Sequence, residues 1–134
     1  MIAVHAARAL LDRLRQRLNE GLEINIVSRA QIESLGHFQV PESAELLEVR
    51  AHGFLSITCY VRLALPPEAL DAFLAGTLVA PPLAARRPRR MPVRVGGMRS
   101  FLAGEATQGR VHQSVLIDTS VPARYTVHVY TVSE

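Results

Sequence analysis

The sequence predicts a single α+β domain, with an antiparallel or mixed sheet of about five strands and an N-terminal helix and two short helices packed on one face. Residues 54–65 alternate apolar and polar side chains over a full strand length. The chain closes on two further β-rich runs, 111–117 and 125–132, joined by a segment of turn-forming residues. Helical stripes stand before and between these runs without the strict strand–helix alternation of a parallel sheet. At 134 residues the chain fits one domain.

The clearest stretch is FLSITCYVRLALPPEALDAFLAG, residues 54–76. Leu55, Ile57, Cys59, Val61, Leu63 and Leu65 fall on one face of a strand, because successive side chains point to opposite sides. Phe54, Ser56, Thr58, Tyr60, Arg62 and Ala64 take the other face. Pro66 and Pro67 end the strand, since proline cannot donate to a ladder and pre-sets φ for a helical turn. Glu68 then meets the positive end of the helix dipole. Leu70, Phe73 and Leu74 share one face of a helix over 67–75, and Gly76 stops it.

From the start of the chain, Val4, Ala7, Leu11, Leu14 and Leu18 recur at helical spacing, which predicts a helix over 2–20 stopped by Gly21. The seven-residue steps within it resemble a short coiled-coil seam, so this helix either covers its own sheet or joins two copies. Alternation over Leu22–Val27 predicts a strand. Ser28 is then an N-cap, Gln31 completes a capping box, and Val27 with Ile32 forms a hydrophobic staple. That helix spans 29–35 and closes at Gly36. Residues 45–51 read as a strand with Leu47, Val49 and Ala51 on one face. Opposed residues must share a face, so a three-residue loop at 52–54, or a bulge, is expected.

Residues 77–98 change character, with four prolines and five arginines, and predict a long surface excursion. A short strand is expected at Ser100–Ala103. The closing hairpin, with Asp118 paired to Arg124, opposes Val115 to Val127 and Ile117 to Tyr125. Its other face carries His112, Ser114, Leu116, Thr126, His128 and Tyr130.

Composition narrows the function classes. Hydrophobic residues make up 49% of the chain but aromatics only 5%, so the core is aliphatic. All fifteen basic residues are arginine, and the net charge of +3 permits an acidic partner without demanding one. Cys59 stands alone, which rules out an intrachain disulfide and a paired-cysteine zinc site and favours a cytoplasmic setting. No apolar run approaches the roughly 20 residues of a membrane span, and the opening residues follow a helical rather than a secretory pattern. Neither GxxxxGK[ST] nor GxGxxG is present, so no nucleotide cofactor is expected.

Two constellations remain. On the hairpin's polar face the expected register opposes His128 to Ser114 and His112 to Tyr130, with the two imidazoles diagonal neighbours about 7 Å apart. Those side chains make a weak catalytic candidate. Asp118 stands about 13 Å from Ser114 along the strand and completes no triad, and no third metal ligand accompanies the histidines. Tyr60 and Arg62 are expected on the same sheet face as His112, His128 and Tyr130, as a contact surface. The second constellation is Arg86, Arg87, Arg89 and Arg90, with Arg94 and Arg99 nearby, a run suited to bidentate contact with phosphates. No aromatics interleave to stack bases. The expectation is a non-catalytic binding or accessory protein acting through the sheet face or the arginine loop, with a protein partner or a second copy. A nucleic-acid-binding module using residues 86–99, and a small enzyme using His112, Ser114 and His128, are the alternatives.

Overall fold

The computed structural model describes residues 6–14, 22–53 and 55–134. Among the described residues five strands form one sheet: β1 (Glu45–Gly53), β2 (Ile57–Leu65), β3 (Phe101–Gln108), β4 (Val111–Asp118) and β5 (Tyr125–Ser133). Their order is β1-β2-β5-β4-β3, and every pairing is antiparallel. A local hairpin, β1–β2, and a local meander, β3–β4–β5, thus join along β2 and β5. Residues 6–14 are helical, α1 spans Arg29–Gly36, and a 3-10 turn (Pro67–Ala69) leads into α2 (Leu70–Ala75).

The α+β architecture follows the alternation in the strands. Cys59, Val61, Leu63 and Leu65 of β2 point to the helix-bearing face beside Val115 and Ile117 of β4 and Val127 and Val129 of β5. Ile32 of α1 and Phe73 and Leu74 of α2 close over them. Phe38 and Phe73 meet edge to face, with centroids 5.8 Å apart. Ser28 caps α1 by accepting from the Gln31 amide at 3.2 Å, as expected, while the Gln31 side chain turns back to accept from Val27 N–H. The left-handed residue that ends the helix is His37, at φ 55°, one place beyond the expected glycine. Val27 is 80% exposed, so the predicted staple buries only Ile32.

Several expectations need correction. Leu22–Val27 is not a strand; it makes one bridge, Glu23 to His52, on the outer edge of β1. The β1–β2 ladder runs on to Gly53 opposite Ile57, so the connection is 54–56 rather than 52–54. Val49 therefore opposes Val61, and a bulge at Leu47 sets Leu46, rather than the expected Leu47, opposite Leu63 on the face of Val49 and Ala51. Leu55 lies in that connection, 89% exposed. In the closing hairpin Asp118 pairs with Thr126, which sets Val115 opposite Val129 and Ile117 opposite Val127. Both shifts are even, so beyond the bulge at Leu47 every side chain keeps its face while its cross-strand partner changes. Strand β3 continues to Gln108, well past the expected Ala103. Leu10, Leu11 and Leu14 are 59%, 58% and 47% exposed, so this part of the N-terminal stripe is not buried. Ala7 is exposed as well, and the remaining stripe positions, Val4 and Leu18, lie outside the described residues.

Residues 77–98 are not a free excursion. Val79 and Leu83 pack on the helix-bearing face, and Ala84 exchanges two backbone hydrogen bonds with Ala103 on the outer edge of β3. The chain then passes round that edge to the opposite face. There Met91, 3% exposed, packs with Ala103 and Leu116 beneath Val93, Val95, Met98, Phe101 and Tyr130. The sheet is therefore covered on one face by helices and in part of the other by this segment.

Candidate functional site

The polar face of the sheet assembles only part of the expected group. Tyr60 of β2 stands opposite Tyr130 of β5, and Arg62 stands opposite His128. The Tyr60 hydroxyl and His128 Nδ1 share a hydrogen bond of 2.8 Å, and the two rings stack at 6.1 Å. Arg62 reaches Glu48 of β1 at 3.7 Å, and Glu48 also pairs with Arg50 at 2.7 Å. Burial first, and the Arg62 guanidinium second, hold the His128 pKa below the ordinary imidazole value, against the pull of Asp118 and Glu48. Burial likewise raises the Tyr60 hydroxyl, with Glu48 adding to it. His128 is thus an imidazole neutral at pH 7 in a row of polar side chains, in which Arg62 Nε is buried without a hydrogen-bond partner among the described residues.

His112 is not in that row. The observed register places it opposite Val132, four residues from His128 along β5, so the two are separated by about 13 Å of strand rise. Ser114 opposes Tyr130 rather than His128. Ser114 Oγ does lie 3.3 Å from His112 Nε2, but Thr107 Oγ1 holds the other ring nitrogen at 2.9 Å. The His112/Ser114/His128 constellation therefore does not form as a unit. Among the described residues no three His, Cys, Asp or Glu side chains gather as a metal-ligand set. Cys59 is buried on the core face, and burial pushes its thiol up to about 11, so it stays protonated.

The arginine segment is displayed quite differently. Arg86, Arg87, Arg89, Arg90, Arg94 and Arg99 are all exposed, while Pro88 and Met91 between them are buried. The Arg89 amide donates to the Glu105 carboxylate of β3, which adds a third fastening to the Ala84 bridge and the Met91 anchor. No acidic residue occurs anywhere from 72 to 104. The ion pairs among the described residues join Arg50 and Arg62 to Glu48 and Arg124 to Glu45, and none takes an arginine of this segment.

Two clefts open where the segment meets β3. The first, about 390 Å³, is lined by Arg86, Arg87, Pro88 and Arg89 against Ala103–Glu105 and Ala84. The second, about 130 Å³, lies among Arg90, Thr107, Gly109, Arg110, His112, Val132 and Glu134. Arg110 and Glu105 escaped the sequence reading, because nothing in a linear pattern brings the β3–β4 turn beside residue 90. A third, larger hollow of about 680 Å³ lies beside β1, lined by residues 23–29 with Ile32, Leu46 and Val49. It holds no cluster of chemically reactive side chains. Comparison with known protein families, with curated proteins and with solved structures found no match to this chain.

Proposed function

We propose that this is a non-catalytic binding protein whose contact surface is the arginine segment 86–99 and whose ligand is polyanionic. The observation that supports it is the anchoring of that segment. Pro88 and Met91 are buried and Ala84 is bridged to β3, while the arginines between and beyond them stay exposed and outside the ion pairs of the described residues. A fastened loop loses little conformational freedom when it binds, so more of the contact energy is retained as affinity. Guanidinium groups present paired donors that match the oxygens of phosphate, sulfate or carboxylate.

The test is binding of heparin and of a polyglutamate peptide, followed by calorimetry over a range of salt. Affinity for at least one of them is expected to fall steeply as salt rises, as for any contact made by releasing condensed counterions. Changing Arg86, Arg87, Arg89 and Arg90 together to Ala is expected to weaken it at least tenfold with the fold unchanged by circular dichroism. No binding to either polyanion, or an unchanged affinity in the variant, overturns the reading.

A further inference from the structure

The two clefts lie in line. Ala103, Glu105 and Thr107 are successive residues on one face of β3; the first two line the larger cleft and the third lines the smaller. Two residues of strand advance about 7 Å, so the clefts follow one another along β3 at about that interval. Arg86, Arg87 and Arg89 line the first, and Arg90 and Arg110 the second. Arg110 comes from the β3–β4 turn, is exposed, and takes no part in the ion pairs of the described residues. Five guanidiniums thus flank a path on which Glu105 and Glu134 are the carboxylates. One of these, Glu105, already accepts from the Arg89 amide.

We propose that this path seats the backbone of a single-stranded nucleic acid, with phosphates in both clefts and Arg110 as a contact outside the arginine segment. This rests on the polyanion reading above and narrows it to one ligand chemistry. A strand carrying one charge every few ångström is flexible enough to match the interval between the clefts. The smaller cleft has the volume of only about four water molecules, room enough for one oxyanion. No Phe, Tyr or Trp lines either cleft, and the one imidazole there, His112, is held by Thr107 and Ser114, so bases find no large stacking platform and are not distinguished. Sequence preference is therefore absent.

The experiment is fluorescence anisotropy with labelled oligo-dT and oligo-dA strands of increasing length, a duplex control, and heparin as the non-nucleic polyanion. The two single strands are expected to bind equally, more tightly than the duplex, with affinity rising steeply once the strand is long enough to span both clefts. Arg110→Ala is expected to weaken binding several-fold and to reduce the slope of log K against log salt by about 0.7, the value of one phosphate contact on a single strand. Glu134→Gln is expected to tighten it by removing the opposing charge from the second cleft. Heparin binding without strand binding overturns this inference and leaves the polyanion reading standing; failure of the strands, heparin and the polyglutamate peptide alike overturns both. An unchanged salt slope in Arg110→Ala, tighter binding of the duplex, or a strong preference between dT and dA each overturns the proposed path.

Discussion

His128 sits on the polar face of β5, yet it is only 6% exposed. Its neighbours on either side explain why it stays neutral. The imidazole is desolvated between β2 and β4, Arg62 stands opposite it, and the Tyr60 hydroxyl takes its Nδ1. In the unfolded chain it binds a proton at the ordinary value of about 6.5; in the fold it does so only at lower pH. The unfolded state therefore binds more protons in that interval, and stability falls as pH drops from about 6.5 through the lower folded value. The thermal midpoint of the protein is expected to decline over this range. His128→Gln, whose amide keeps a partner for Tyr60 without titrating, is expected to flatten that part of the profile. Equal slopes for the two proteins would refute the assignment. The polar row around His128 was expected from period-two alternation, since Tyr60, Arg62, His128 and Tyr130 all fall on one face. Which of them touch was not, because alternation is unchanged by a register shift of two.

The decisive element is the segment between α2 and β3. Its prolines and arginines read as a solvated excursion, and much of its surface is indeed exposed. The apolar residues among them, Val79, Leu83, Met91, Val93, Val95 and Met98, have no period that a strand or helix template would detect. They are nonetheless the residues that fasten it to both faces of the sheet. Gly104 makes this possible. A Cβ built there would stand 2.5 Å from both Val79 and Leu83, so the segment lies directly on the strand backbone. Gly104→Ala is expected to push these side chains away and destabilise the fold by about 1–3 kcal/mol, as overpacking does. Urea denaturation measures the loss. Cleavage within residues 77–98 under limited proteolysis is expected to accelerate by more than the global change accounts for. Wild-type resistance of that segment in the variant would mean that its anchoring lies elsewhere.

At the scale of the whole molecule, one buried amide ties the layers together. Gln113 of β4 is fully buried on the helix-bearing face. Its Nε2 donates to the Gly36 and His37 carbonyls at the end of α1, and its Oε1 accepts from the Leu78 amide at 2.8 Å. Thr131, its cross-strand partner, donates to the same Gly36 carbonyl at 2.7 Å. A helix end, two central strands and the start of the arginine segment thus share one polar junction. Gln113→Leu keeps the volume and strips the partners from buried backbone groups, which costs about 1–3 kcal/mol for an unsatisfied group. Equilibrium denaturation is expected to show a loss in that range or above; a loss under about 0.5 kcal/mol would mean that water or a backbone shift replaces the amide. In the sequence Gln113 stands in a β-rich run on the face expected to be apolar, and nothing local marks it as a strut.

The α+β class, the two short helices and the face of nearly every strand residue follow from the sequence alone, because each rests on periodicity, capping or proline chemistry acting over a few residues. Helix caps, strand alternation and proline stops are short-range, and the chain near Ser28 or Pro66 contains all the groups involved. Tertiary structure decided the rest: the pairing of β2 with β5, the registers, the separation of His112 from His128, the Gln113 junction and the meeting of Arg90 with Arg110. Each of these joins residues distant in sequence, or chooses among registers that alternation leaves equivalent. Packing and turn geometry select one register, and only the closed sheet brings the arginine segment and the β3–β4 turn to the same edge.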